Sequence, residues 1–223
     1  VVSDQYVPIE GEETRAIQEL TREWVLEQDI KNFYDQQGIC HVVLPERGHL
    51  SPGMFCVGGD SHSPTGGAFG AYMFGIGATE MAGVLATGKI WIKVPETILI
   101  KWAGQTDAFV TAKDMMLATC AKIGMGGGRY QAIQYAGEAI HKLNMQERMT
   151  MSNMAAELGA QAGLISPDET TIEYLKSVNA SILDNWQNYQ IEKPDLNGEV
   201  INLDASSLSP QIAAPHSPEN SSD

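Results

Sequence analysis

Positive charge is scarce in this chain: 14 Lys and Arg stand against 28 Asp and Glu among 223 residues, a net charge of −14. The imbalance is steepest in residues 167–223, where ten acids face only Lys176 and Lys193. A polyanion gains nothing by releasing counterions from phosphates, so nucleic-acid binding and attachment to an anionic membrane surface are both disfavoured. Cysteine is scarce as well. Cys40, Cys56 and Cys120 lie 16 and 64 residues apart, which matches neither a CxxC motif nor a zinc-ligand spacing. An odd number of thiols suits no disulfide framework and points to a reducing, intracellular setting, most simply the cytoplasm, with an organelle left open. Long apolar runs are missing too. The least charged stretch, residues 63–79, has 17 residues and is rich in Gly, short of the ~20 that a membrane span needs. The opening residues, VVSDQYVP, lack a basic segment followed by an apolar run and do not read as a signal peptide. What is present is 43% hydrophobic residues with 19% charged ones, the composition of an ordered globular chain able to bury a core.

Periodicity predicts an α/β organisation. Residues 13–29 place Ile17, Leu20, Trp24 and Val25 at helical spacing among charges. Residues 39–44, closed by Pro45, and residues 54–57, closed by Gly58 and Gly59, read as two buried strands. Residues 66–87 carry Phe69, Met73, Ile76, Met81 and Leu85 among Gly and Ala, which suits a closely packed helix ending near Gly88. Residues 90–94 and 97–102 look like strands divided by Pro95. A helix over 111–123 with Thr111 as its cap follows, then a strand over 132–136, helical segments at 138–143 and 146–159, and a strand at 199–204. The polar run 177–198 and the tail 206–223 read as connection and loop. These elements suggest a sheet domain over 1–104, a second α/β subdomain over 105–178, and a connecting segment with an acidic tail over 179–223.

The sharpest local feature is Gly58-Gly59-Asp60-Ser61-His62-Ser63-Pro64-Thr65-Gly66-Gly67, between an expected strand and an expected helix. Ligands of open α/β sheets bind at the carboxyl ends of strands, where a following helix also offers free N–H groups to an anion. Asp60, Ser61 and His62 would there bring a carboxylate, a hydroxyl and an imidazole onto one ligand. The same residue types are ordinary in turns and caps, and composition alone gives that blander reading the greater weight. In residues 149–160, Asn153 and Glu157 stand at i and i+4 on an expected helix, where they would bind a ligand, orient a histidine or simply face solvent. His41 sits within an apolar run, where a lone His is most often a hydrogen-bonded core residue; His49, His141 and His216 have weaker claims. The Gly clusters at 75–80 and 124–129 lack the remaining residues of a dinucleotide fingerprint and of a phosphate loop.

Taken together, HVVLPERGHLSPGMFCVGGDSHSPTGGAFGAYMFGIGATEMAGVLATGKIWIKVPE closely resembles the GDSH region of the aconitase superfamily, on its isopropylmalate dehydratase branch. The likeness continues through VTAKDMMLATCAKIG, YAGEAIHKLNMQERMTMSNMAAELGAQAGLISPDETT and SPQIAAPHSPEN, collinear over nearly the whole chain. It implies an aconitase-like three-layer α/β/α sheet domain with a second α/β subdomain. The activity it implies is that of a hydro-lyase: removal and re-addition of water on a small hydroxy-polycarboxylate such as 3-isopropylmalate, through a [4Fe-4S] cluster whose open iron is a Lewis acid. Homoaconitate, 2,3-dimethylmalate and citrate types share the same motifs. The resemblance further implies a small subunit or a swivelling C-terminal domain as partner.

Carried residue by residue, it makes Asp60 and His41 one hydrogen-bonded pair, His62 and Glu157 another, and Ser61 and Asn153 polar contacts of the active site. Asp4 and Gln5 fall on the family's Asp-His pair, so an amide that does not titrate stands where the family has an imidazole. The family's cluster cysteines have no counterpart among Cys40, Cys56 and Cys120, which implies an excerpt of a longer enzyme that binds no cluster by itself. A cluster-free relative retained for binding or regulation is the alternative; an RNA-binding relative fits the charge least well.

Overall fold

The computed structural model describes residues 1–190 and 198–222. Residues 191–197, part of the expected polar connection, lie outside the described residues. Contacts divide the chain into two compact units, Val1–His49 and Leu50–Asp223.

The first unit comprises β1 (Val2–Ser3), α1 (Glu12–Glu27), β2 (Tyr34–Asp35) and α2 (Cys40–Glu46), with β1 and β2 paired in parallel. The expected first helix forms, but its inward face differs from the apolar stripe. Gln18 and Val25 are buried, whereas Ile17 and Leu20 are exposed. The reason is a polar clamp: Ser3 Oγ donates to Gln18 Oε1 over 2.7 Å, the Gln18 amide donates to Asp35, and Arg22 Nε reaches Asp35 Oδ2 at 2.7 Å. The expected strand at 39–44 is instead the helix α2. A short apolar run does not distinguish a strand from a buried helical turn. Here the helix is fixed by a cap remote in sequence, since the Cys40 N–H donates to Asp4 Oδ2 over 2.6 Å. Val43 and Pro45 form its buried side.

The second unit opens with β3 (Phe55–Gly58) and β4 (Tyr72–Gly75), paired in parallel and joined through a 3-10 helix, Ser63–Phe69, every residue of which is buried. Then come α3 (Ala78–Thr87), β5 (Thr97–Ala103), α4 (Ala112–Ile123), β6 (Ala132–Ala136), α5 (Glu138–Lys142), α6 (Met145–Asn153), β7 (Ala162–Ile165), α7 (Glu169–Ser177), β8 (Val200–Asp204), β9 (Ile212–Ala213) and β10 (Ser221–Ser222). A parallel sheet runs in the order β7-β6-β5-β8. The β5 residues Ile98, Leu99, Ile100 and Trp102 are buried on both faces of the strand, as a covered parallel sheet requires. One core joins Ile100, Trp102, Ile133 and Tyr135 of the sheet to Met115, Met116 and Cys120 of α4 and Met151 of α6. The protein is thus a mixed α/β fold with parallel strands, as expected. The boundary expected after residue 104 falls at the exit of β5, inside the second unit.

The single helix expected over 66–87 is three elements: the end of the 3-10 helix, β4 and α3. Gly70, in the left-handed region at φ 72°, ends the first, and Tyr72-Met73-Phe74 then extends as a strand. α3 does stop at Gly88, at φ 66°. Residues 90–94, expected as a strand, have no regular structure. β5, α4, β6, α5 and β8 lie where the sequence places them. The helix expected over 146–159 begins at Met145, capped by Asn144 and Glu147, and ends at Asn153; residues 154–159 are turns. The tail, expected as loop throughout, contains the short antiparallel pair β9–β10. β7 and α7 were not anticipated.

Candidate functional site

The site in the second unit is built on the turn that leaves β3. Asp60 is the first ordering element. Its Oδ1 accepts the His62 N–H over 2.7 Å, and its carbonyl accepts both the N–H of Ser63 at 3.1 Å and its hydroxyl at 2.7 Å. The His62 carbonyl in turn accepts the Thr65 hydroxyl at 2.7 Å. Asp and Ser thus do the work of turn and cap residues here, while also leaving Ser61 and the His62 ring on the outer side of the turn. The 3-10 helix behind them is pressed onto β7 so closely that a Cβ on Gly67 would lie 1.8 Å from the Gly163 carbonyl oxygen, so only glycine fits.

The His62 ring is held at both nitrogens. Nε2 lies 3.0 Å from Glu157 Oε1, and Nδ1 lies 3.2 Å from Ser61 Oγ. Side-chain exposures of 36% for His62 and 25% for Glu157 leave the pair open enough for a ligand yet partly shielded from water. When Nε2–H is donated to the carboxylate, Nδ1 becomes the basic nitrogen and faces the Ser61 hydroxyl. Asn153 Nδ2 donates to Thr65 Oγ1 over 2.9 Å, tying the end of α6 to the 3-10 helix. Asn153 and Glu157 do not share a helical face as their spacing suggests, because α6 ends at Asn153 and Glu157 follows in a turn where its N–H donates to the Met154 carbonyl at 3.2 Å. Thr65, which joins Asn153 to the His62 turn, went unnoticed in the sequence; its position after Pro64 in the same motif is the one signal for it.

Asp60 and Ser61 form part of the wall of a cavity of about 1170 Å³, whose lining also includes Glu80, Trp91, Arg129 and Gln161. The cavity thus combines carboxylate, hydroxyl, guanidinium, amide and aromatic groups, a lining suited to a polar organic ligand. Burial pushes the Tyr72 phenol up to about 12, with Tyr130 adding to the effect, and its hydroxyl donates to Gln161.

The first unit holds the remaining candidates. Asp4 is engaged as the remote cap of α2, and Gln5 is exposed. His41 lies in the first turn of α2 rather than in a strand, with the Cys40 Sγ 3.5 Å from its Nδ1. His49 pairs with the Tyr34 hydroxyl at 2.5 Å, a structural contact.

Cys120 and Cys56 do not suit an iron–sulfur cluster, and Cys40 alone cannot supply its ligand set. Cluster ligands are thiolates facing an open centre. Cys120 is wholly buried on α4, where burial and then the Glu157 charge push its thiol up to about 11; burial also raises Cys56 on β3.

Comparison with known proteins adds a second line of evidence. The model of the Aconitase family (aconitate hydratase) matches residues 3–223. The 3-isopropylmalate dehydratase large subunit 1 of Methanopyrus kandleri is 44% identical over 223 residues, which cover 99% of this chain and 52% of that protein. The probable methanogen homoaconitase large subunit of Methanosarcina mazei is 44% identical over 218 residues, covering 97% of this chain and 55% of that protein. The 3-isopropylmalate dehydratase large subunit of Moorella thermoacetica is 38% identical over 222 residues, covering 99% and 52% respectively. The chain therefore spans about half the length of the curated relatives it matches.

Proposed function

The chain belongs to the aconitase family, and on that premise we propose that it is part of a hydro-lyase that removes and re-adds water on a small hydroxy-polycarboxylate, with 3-isopropylmalate as the first candidate. The observation that carries this reading is the imidazole of His62 held between the Glu157 carboxylate and the Ser61 hydroxyl, in the turn that follows a parallel strand. In the proposed mechanism His62 takes and returns a proton through Nδ1 while Glu157 fixes its ring and stabilises the imidazolium that forms. Ser61 contacts the substrate, and Asn153, acting through Thr65, keeps the turn in place. His41 in the first unit and Asp60 in the second keep proton-handling roles in this proposal. Asp4 orders the first turn of α2, on which His41 lies, and Gln5, which cannot titrate, is limited to hydrogen bonding with substrate.

Full-length members of the family imply an iron–sulfur cluster. Because the cysteines of this chain do not fit one, no step is assigned to it here. Relatives named as large subunits support a small-subunit partner. Homocitrate, the hydroxy acid whose dehydration gives homoaconitate, is the second substrate reading, favoured by the relative named a homoaconitase at the same 44% identity as the isopropylmalate relative. The test is anaerobic assay of the complete polypeptide containing these residues, with its small subunit. Each hydroxy acid is supplied in turn and the unsaturated product followed by absorbance. Turnover of 3-isopropylmalate at the higher kcat/KM supports the reading; no dehydration of any of these acids defeats it.

A further inference from the structure

We propose that Tyr135 is a positioning residue for Glu157: its phenol donates, through one bridging water, to Oε2, the carboxylate oxygen that His62 does not engage. This rests on the reading of His62 and Glu157 as the proton-handling pair. Glu157 uses Oε1 for His62, while its Oε2 is buried without a hydrogen-bond partner among the described residues. The Tyr135 hydroxyl is buried in the same condition, on a residue only 1% exposed. A buried carboxylate oxygen and a buried phenol are costly alone and complementary together, since an ionised carboxylate only accepts and the phenol donates.

Their placement brings them to one region of the core. Tyr135 and Ile133 point from β6 into the cluster that contains Cys120 of α4 and Leu158, the residue directly after Glu157. The turn bearing Glu157 is laced to the chain entering β6: Gly128 N–H donates to the Leu158 carbonyl at 2.7 Å, Tyr130 N–H to Gly159 at 2.8 Å, and Gln161 N–H to Gln131 at 2.9 Å. The Glu157 charge reaches this pocket, adding to burial in raising the thiol of Cys120 and, with Cys120, the phenol of Tyr135. His62, Cys120 and Tyr135 are titratable groups near the carboxyl, from the turn after β3, from α4 and from β6, and the Glu219 charge also acts on Cys120. A carboxyl held at both oxygens keeps its plane fixed, so Oε1 remains aimed at Nε2 of His62.

The experiment is histidine-¹⁵N NMR of the complete polypeptide containing these residues, with urea unfolding, for wild type, Tyr135→Phe and Glu157→Gln. The proposal expects Tyr135→Phe to displace the His62 Nε2 resonance while distant amide signals stay in place, and to raise the unfolding constant by about tenfold or more, the loss of a hydrogen bond to a charged group. An idle phenol behaves otherwise: Tyr135→Phe then leaves His62 unmoved and is neutral or stabilising, which overturns the proposal. Destabilisation with His62 unmoved assigns Tyr135 to packing and overturns it equally. Glu157→Gln separates the two levels. If it displaces His62 Nε2 and Tyr135→Phe does not, only the role of Tyr135 fails; if it too leaves His62 unmoved, the pair itself is absent and the functional reading fails with it. A high-resolution crystal structure of the wild-type chain gives a direct check, a single water within hydrogen-bond distance of both oxygens.

Discussion

At the scale of single residues, the turn Asp60-Ser61-His62 does two jobs at once. The backbone and side chain of Asp60 satisfy the N–H groups of His62 and Ser63 and so fix the turn, while Glu157 and Ser61 hold the His62 ring in one orientation. This much was legible, because a strand followed by Gly-Gly-Asp-Ser-His and then Pro and Gly specifies a turn with its polar side chains outward. The partner of His62 was not legible from spacing. Glu157 is 95 positions away, and only the resemblance linked the two. The cysteines provide a test at this scale. A thiol raised to about 11 is roughly one part in a thousand thiolate at pH 8, so Cys120 should escape alkylation by iodoacetamide in the native chain and react on unfolding, as read by peptide mass. Rapid native labelling of Cys120 would mean that the α4 core is open.

At the scale of elements, α2 is the instructive departure. Residues 39–44 read as a strand because they are apolar and β-branched, yet the deciding contact is Asp4 on the Cys40 amide, which no window of local sequence contains. Residues 66–87 failed for the opposite reason: Gly70 and the aromatic run at 72–74 were local signals, outweighed by an apparent helical period. The close contact behind the site yields a prediction. Gly67→Ala must push the 3-10 helix off β7, and a loss of about 1–3 kcal/mol or more is expected in urea unfolding, with the His62–Glu157 contact loosened.

A second device, unforeseen in the sequence, joins α6 to α7. Arg148, with no exposed side-chain surface, grips Asp168 with both terminal nitrogens at 2.6 and 2.8 Å and donates to the Leu143 and His141 carbonyls, while Asp168 caps α7. Arg148→Ala strands a half-buried carboxylate and should cost about 3–5 kcal/mol. Burial alone would raise Asp168, but the hydrogen bonds and charge of Arg148, helped by Thr171 and His141, outweigh it and leave the carboxyl below its ordinary range. A depressed carboxylate stabilises the fold above its unfolded pKa of about 4 and loses that contribution as the pH falls through the folded value. Wild type should therefore lose urea midpoint below pH 4 more steeply than Arg148→Ala. Parallel profiles would show that the pair carries no such linkage.

At the scale of the molecule, the fold class was readable because parallel strands buried on both faces leave apolar blocks such as 97–102, separated by amphipathic helices of the right length. What composition could not supply was the division after His49 and the bringing together of Ser61, His62, Asn153 and Glu157 from a turn and a helix end nearly a hundred residues apart. Among the described residues no helix is long and apolar enough to cross a membrane. The central claim is that this assembly handles the proton in a dehydration reaction. Its most direct test is kcat for 3-isopropylmalate dehydration by the complete enzyme containing this chain, wild type against Glu157→Gln, with circular dichroism to verify the fold. The account predicts a loss of about 100-fold or more with the spectrum unchanged, the share usually supplied by a positioned acid–base pair. Equal turnover by the two enzymes would contradict it.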